Sequence, residues 1–192
     1  MERRFVTLTL CAVLLGAAAE TTAQPRGLAA RMLSLGAHLG PVIESSGPVF
    51  AVPDPDLAIP EGHVFKAVFE ITDRQGESET LNQSIDSAAR FLNMHVEAGV
   101  PLENVQVAVV IHGASTTDVL NNAAYRERFG VDNPNLPLFD ALKQAGARLY
   151  VCAQAANVFQ VPRDQIAESV DVALSAMTAM VMLQAEGYQR PN

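Results

Sequence analysis

The stretch of residues 105–111 reads VQVAVVI and is apolar at six of its seven positions. A strand with one face in water alternates apolar and polar side chains, whereas a strand covered on both faces is apolar almost throughout. Continuous apolar strands of this kind are typical of parallel sheets. The run therefore predicts a parallel strand inside an α/β domain.

Strand and helix patterns alternate around this run. Residues 63–72 alternate apolar and polar side chains and predict the first strand, and residues 149–152 predict the third. Between the first two strands, residues 81–98 carry apolar side chains at helical spacing, behind a capping box of Thr80 and Gln83. This alternation predicts a single α/β domain with a mainly parallel sheet, flanked by helices and joined by right-handed crossovers.

Capping signals mark the later helices. Two helices are predicted before the third strand, over residues 115–130 and 135–146, and another is predicted to begin at residues 162–164. Residues 170–174 fit a strand as well as part of a long helix. A strand is favoured there, and Ser175 then caps a last helix.

The first 23 residues have the layout of a secretory signal. Arg3 and Arg4 precede an apolar run of 15 residues at positions 5–19, and small residues follow up to Ala23. The run is shorter than the roughly 20 residues that span a bilayer, so cleavage near Ala23 is favoured over a retained anchor. The sequence therefore predicts an exported bacterial protein, periplasmic or secreted, with no membrane span once the signal is removed.

Proline is frequent in the next segment, residues 24–60, which contains Pro25, Pro41, Pro48, Pro53, Pro55 and Pro60. Each proline lacks a backbone donor and favours extended geometry in the residue before it. We expect an extended N-terminal arm here, either packed on the domain or forming a flexible linker. The α/β domain is then expected to occupy residues 61–192.

Charge and motif content exclude several classes of partner. The 192 residues include 13 Lys and Arg against 21 Asp and Glu, a net charge of −8, and no stretch gathers the basic residues. Such a surface repels a phosphate backbone, so no nucleic-acid partner is expected. No metal or cofactor is predicted, because the His and Cys residues lack ligand spacing and no glycine-rich phosphate-binding motif follows a strand.

Three reactive side chains follow the first three predicted strands: Asp73, His112 and Cys152. The carboxyl ends of parallel strands meet at one edge, where ligands gather. Cys152 is the one cysteine expected after maturation, because Cys11 lies in the signal. A nearby imidazolium or helix N-terminus favours the nucleophilic thiolate. We interpret Cys152 as a nucleophile tuned by His112, which Asp73 orients; a buried structural cysteine and a loop histidine are the alternatives.

Five stretches, in this order, resemble the exported branch of the DsrE/DsrF-like family: KAVFEIT, LNQSIDSAARFLNMHVEAGVP, VQVAVVIHG, NPNLPLFDALKQAGARLYVCAQ and ALSAMTAMVMLQAEGY. GPVFAVPDPD in the arm is similar to that branch too. The resemblance implies a compact α/β fold. Cytoplasmic members are sulfur-relay subunits that accept sulfane sulfur on a cysteine as a persulfide, and the cysteine implied here is Cys152. The resemblance also implies assembly of the chain with itself into a trimer or hexamer.

The resulting hypothesis is a periplasmic sulfur-handling protein that carries a persulfide on Cys152 and exchanges sulfur with a donor or acceptor protein. The alternative is a non-catalytic binding or assembly module that keeps the fold and buries Cys152. A thiol redox protein ranks third, because Cys-x-x-Cys spacing is absent. Met177, Met180 and Met182 in the last predicted helix fit either an adaptable interface or core.

Overall fold

The computed structural model describes residues 27–191 and contains a four-stranded, entirely parallel sheet. Its strands are β1 (Phe65–Ile71), β2 (Val105–Ile111), β3 (Arg148–Cys152) and β4 (Asp171–Ala173), and their order in the sheet follows the chain. The α/β class and the parallel sheet predicted from the sequence are confirmed, as is the strand within residues 170–174. The predicted signal, residues 1–23, lies outside the described residues.

Helices flank the sheet on both faces. Across residues 27–191 the structure forms α1 (Leu28–Ser34), α2 (Gln83–Glu97), α3 (Asn122–Phe129), α4 (Leu136–Gln144), α5 (Ala153–Val158) and α6 (Ala176–Ala185), with 3₁₀ turns at Leu102–Asn104, Gly113–Val119 and Arg163–Gln165. None of these helices is long and apolar enough to cross a membrane.

The helix predicted over residues 115–130 is interrupted. A 3₁₀ turn, Gly113–Val119, is followed by Leu120 in extended conformation, and α3 begins only after that. Leu120 is extended because it forms an isolated antiparallel bridge with Ile166. Asn121 then caps α3 by accepting a hydrogen bond from a first-turn N–H. A contact distant in sequence therefore divides the predicted helix.

Two other helix starts differ from the prediction. Residues 162–164 introduce only a 3₁₀ turn, since α5 begins directly after β3 at Ala153. The N-cap of α2 is Asn82, whose side chain accepts from a first-turn N–H, whereas the Thr80 hydroxyl donates to the carbonyl of Glu77. The placement of α5 brings a helix N-terminus directly to the end of β3.

The sheet separates two apolar cores. Side chains of α2, α3, α4 and α5 contribute to the larger core on one face, which also takes the odd-numbered positions of β2. Ala108 and Val110 of β2 face the smaller core, which α6 covers. Because the strand order follows the chain, the helices between strands lie on one face and α6 returns across the other.

The arm is anchored on α2 by two buried side chains. Asn93 accepts from two N–H groups and donates to three carbonyls of residues 42–47. Asp86 accepts from a hydroxyl and an N–H of the same segment. Gly47 has φ +67°, and an added Cβ would lie 2.4 Å from the α2 backbone, so the close approach requires glycine. Residues 50–64 then run exposed to β1.

Candidate functional site

The register of the sheet brings the ends of β2 and β3 together. Ile71 pairs with Ile111, and Ile111 pairs with Val151, so the next residues, His112 and Cys152, end neighbouring strands at the same level. Neighbouring strands lie about 4.8 Å apart. Both residues continue the strand positions that face α6, since strand side chains alternate between faces. The structure thus places these two sequence-predicted residues side by side.

Cys152 is a free cysteine that ends β3 and caps α5. Its Sγ accepts a hydrogen bond from the N–H of Ala155 at 3.4 Å. The residue is 6% exposed and belongs to the smaller core together with Ala176 and Met180 of α6. The thiol therefore lies at a helix start, beneath the cover that α6 provides.

His112 follows β2 directly and keeps an extended backbone. Its Nε2 lies 2.9 Å from Oε1 of Glu70 on β1, and both side chains are largely buried. β1 and β3 flank β2 on opposite sides, so this contact turns the ring towards β1. Among the described residues, the hydrogen bonds of His112 and Cys152 go to other partners rather than to each other.

Among the hydrogen bonds and ion pairs of the described residues, none joins Asp73 to His112. Its carboxylate accepts a hydrogen bond from the Thr72 hydroxyl at 3.2 Å, and its carbonyl accepts one from Asn82. The carboxylate that holds His112 is that of Glu70. Glu70 occupies a β1 position that faces α6, on the same side as His112, whereas Asp73 lies beyond the end of β1. The alternation of side chains in the motif KAVFEIT carries this information, but a rule that considers only strand ends does not use it.

Glu70 has a second partner, a guanidinium, that sequence reasoning missed. Nη1 of Arg190 lies 2.8 Å from Oε2 of Glu70. Arg190 is held there by Gln189, whose N–H donates to the carbonyl of Lys66 at 2.8 Å and whose carbonyl accepts from the N–H of Val68 at 2.9 Å. These bonds lie on β1, so they fix residues 188–190 along that strand.

The loop after β2 is tied to the end of β1. Gly113 has φ +61°, and an added Cβ would lie 2.6 Å from the Thr72 carbonyl oxygen. The hydroxyl of Ser115 donates to the carbonyl of Ile71 at 2.7 Å, and the N–H of His112 donates to the same carbonyl at 2.9 Å. The backbone that carries His112 is therefore fixed on both sides of the residue.

A second buried polar cluster lies at the same edge, next to the larger core. Asp118 is 1% exposed; its Oδ2 accepts from Asn82 at 2.8 Å, and its Oδ1 lies 3.4 Å from Nε of Arg74. Burial raises the pKa of Asp118 from 3.8 to about 6, against the opposing effects of Asn82 and Arg74. The Arg74 guanidinium stacks on Phe129 at 3.9 Å and donates to the hydroxyl of Tyr125 at 2.6 Å. The cluster connects the loops after β1 and β2 to α2 and α3.

Two open surface cavities, of about 430 and 420 Å³, lie away from Cys152. Residues 42–45 of the arm line the first together with α4, and residues 59–63 line the second against the chain between α2 and β2. Neither is lined by Asp73, His112 or Cys152. No group of three or more His, Cys, Asp or Glu within residues 27–191 is arranged to hold a metal ion.

Comparisons with known proteins indicate a family. The model of the DsrE/DsrF-like family matches residues 66–190, which include almost all of the sheet. No sequence among the curated proteins matches the chain. Among solved structures, the chain is similar to a protein of unknown function, MTH1491 from Methanobacterium thermoautotrophicum. The two are 22% identical with a TM-score of 0.49, over 66% of this chain and 96% of that chain.

Proposed function

This chain belongs to the DsrE/DsrF-like family, and from that premise we propose that it carries sulfane sulfur as a persulfide on Cys152 and passes it to a partner. The family suggests a sulfur-relay role in general. The observation that carries the finer proposal is the position of Cys152, which ends β3 at the level of His112 and caps a helix. Carboxyl ends of parallel strands are where such folds place their reactive groups.

The proposed loading step is a thiol–sulfane exchange. The Cys152 thiolate attacks the outer sulfur of thiosulfate or of a polysulfide, so a new S–S bond forms to Sγ. The S–S bond of the donor breaks, and sulfite or the shortened polysulfide leaves with its electron pair. An acceptor thiolate then attacks the outer sulfur of the persulfide and releases the Cys152 thiolate. Neither step requires an external oxidant or reductant.

His112 is proposed to accept the proton of the thiol. A neutral ring that donates its Nε2–H to Glu70 keeps Nδ1 as a free acceptor. The level that His112 and Cys152 share at the ends of adjacent strands supports this assignment. Glu70, in the place that the sequence suggested for Asp73, orients the ring.

Loading requires a local opening, because Cys152 is buried under α6. Its nearest helical cover in sequence is α5, which has only six residues. Short helices with few buried contacts belong to the parts of a fold that open most readily. We therefore propose that sulfur donors reach Cys152 through a transient opening between α5 and α6.

Intact mass measured before and after anaerobic exposure to polysulfide, or to thiosulfate with a sulfurtransferase, tests the proposal. The wild-type protein should gain whole sulfur atoms that a thiol reductant removes, and Cys152→Ser should gain none. Glu70→Gln should load more slowly, whereas Asp73→Asn, a matched carboxylate control, should load at the wild-type rate. Loading of Cys152→Ser, or none on folded wild-type protein, would contradict sulfur carriage on Cys152.

The outer side of α6 supports a proposal about assembly. DsrE-family membership fits oligomerisation in general. This side exposes the apolar residues Met177, Val181 and Met182, and Leu174 is exposed just before the helix begins. Contiguous exposed apolar side chains mark interaction surfaces. We propose that copies of the chain pack through this α6 face into a trimer or hexamer, and that a separate donor or acceptor protein exchanges sulfur with Cys152.

Location is a further proposal, which the signal-like residues 1–23 support. We propose that the mature protein begins near Gln24 and works in the periplasm or outside the cell. The mass of protein recovered from cell fractions after expression with residues 1–23 tests this. A cytoplasmic product that retains Met1 would contradict export.

A non-catalytic binding or assembly module is the second candidate function. The observation in its favour is that Cys152 is 6% exposed and lies within the smaller core. A buried thiol packs as a small apolar side chain. If the native protein neither gains sulfur nor reacts with iodoacetamide until it unfolds, this second function replaces the first.

A further inference from the structure

The Glu70 carboxylate is shared by an imidazole and a guanidinium, one on each oxygen. Oε1 lies 2.9 Å from Nε2 of His112, and Oε2 lies 2.8 Å from Nη1 of Arg190. Glu70 and His112 are mostly buried, and Arg190 is half exposed. The sulfur chemistry proposed above uses His112 and Glu70 but gives Arg190 no role.

Arg190 reaches Glu70 because the preceding residue pairs with β1. Gln189 forms a parallel bridge to Ala67, with hydrogen bonds on both sides of that residue. The ring of Tyr188 is buried in the smaller core. Backbone pairing and side-chain burial thus fix the segment on β1, and the guanidinium reaches the side chain at the end of the same strand.

The charges around His112 are few and come from two elements. His112 contacts Glu70 on β1, and Glu70 in turn contacts Arg190 in the segment after α6. The two helices next to the Cys152 edge, α5 and α6, contain no Asp, Glu, Lys or Arg. The Asp73 carboxylate, beyond the end of β1, is bonded to the Thr72 hydroxyl instead. Within residues 27–191, the charged groups that reach His112 directly or through one partner are therefore Glu70 and Arg190.

We propose that Arg190 is a positioning residue for the Cys152 site, a proposal that rests on the proposed sulfur-carrying function. A carboxylate beside an imidazole favours the protonated ring, and a guanidinium on the same carboxylate weakens that effect. Arg190 holds Glu70 in place for His112 and limits its attraction for the ring proton.

The direction in which two substitutions move the titration midpoint of His112 distinguishes this role from simple structural support. Arg190→Gln leaves Glu70 uncompensated, so His112 should bind its proton about threefold more tightly, which moves its titration midpoint up by about half a pH unit. Glu70→Gln should move the midpoint down. Arg190→Lys should restore most of the wild-type behaviour. Arg126→Gln, which removes another half-exposed arginine paired with a carboxylate, Asp132, is the matched control and should change nothing.

Two measurements on the full chain provide the readout. The His112 ring signal, assigned by its loss in His112→Asn, is followed by NMR against pH, and the iodoacetamide reaction of Cys152 is followed over the same range. Opposite shifts in Arg190→Gln and Glu70→Gln support the proposal. Equal midpoints in wild type and Arg190→Gln overturn it even if sulfur loading succeeds. Shifted midpoints without sulfur loading overturn the proposed function and leave only the coupling of Arg190, Glu70 and His112.

Discussion

Replacing Asp118 by asparagine should remove one pH-dependent contribution to folding stability. The Asp118 carboxyl is almost fully buried, and burial outweighs the hydrogen bond from Asn82 and the charge of Arg74 in setting its pKa. The asparagine side chain has nearly the same shape and no ionisable group. The difference in unfolding free energy between the two proteins therefore isolates the titration of this carboxyl.

The magnitude follows from the size of the shift. The pKa of Asp118 rises from 3.8 to about 6 in the folded protein, and each unit corresponds to about 1.4 kcal/mol, so the full effect is about 3 kcal/mol. Because the pKa is raised, the folded state holds a proton that the unfolded chain has already lost between these values. The contribution is present in full below pH 3.8 and is lost as pH rises through 6. Between pH 4 and pH 7, wild type should lose about 2 kcal/mol relative to Asp118→Asn.

Urea unfolding of both proteins at pH 4, 5, 6 and 7 measures this difference, because the other carboxyl groups cancel in the comparison. Asp132→Asn, at an exposed ion pair, is the control and should show a nearly constant difference from wild type. A difference between wild type and Asp118→Asn that stays constant over this range would refute the reasoning that burial dominates at Asp118.

Three further predictions test other parts of the structure. Asn93→Asp replaces the amide that donates to three arm carbonyls, so we expect a loss of about 3 kcal/mol in urea unfolding and new sites of limited proteolysis in residues 42–64. An unchanged proteolytic pattern would show that the arm does not depend on this side chain. Gly113→Ala should lower the melting temperature more than Gly146→Ala. Both glycines have positive φ, but only at Gly113 would an added Cβ lie against backbone atoms. Equal losses of melting temperature would argue against this close approach. Met177→Glu on the α6 face should shift sedimentation equilibrium towards the monomer without loss of stability, whereas Leu57→Glu, at an exposed arm position, should not; retained assembly of Met177→Glu would remove this face as the interface.

Local patterns were sufficient for the strands and for most helices. The apolar run that forms β2 and the alternation that forms β1 are properties of a few consecutive residues, and strands of this kind need no distant contact to be recognised. The break before α3 could not be predicted in this way. It depends on the bridge between Leu120 and Ile166, which are 46 positions apart and meet only in the folded chain.

The candidate site was likewise predictable only where local patterns determine it. The rule that reactive groups gather at carboxyl strand ends selected His112 and Cys152, and the register brings them to one level. It selected Asp73 in place of Glu70, since it considers the residues that follow a strand and not the side chains within it. Arg190 could not be inferred, because its contact with Glu70 follows from backbone pairing of Gln189 with β1.

The exposed stretch of residues 50–64 provides a practical handle on the molecule. The stretch leads into the amino end of β1, whereas Cys152 lies at the carboxyl end of β3. The backbone hydrogen bond within the stretch joins the N–H of His63 to the carbonyl of Pro60. Exposed backbone with few hydrogen bonds tolerates inserted sequence. An affinity tag placed within this stretch would immobilise the protein, and a fluorophore there would report on it. Either would leave the carboxyl edge of the sheet, where Cys152 lies, accessible to a partner protein.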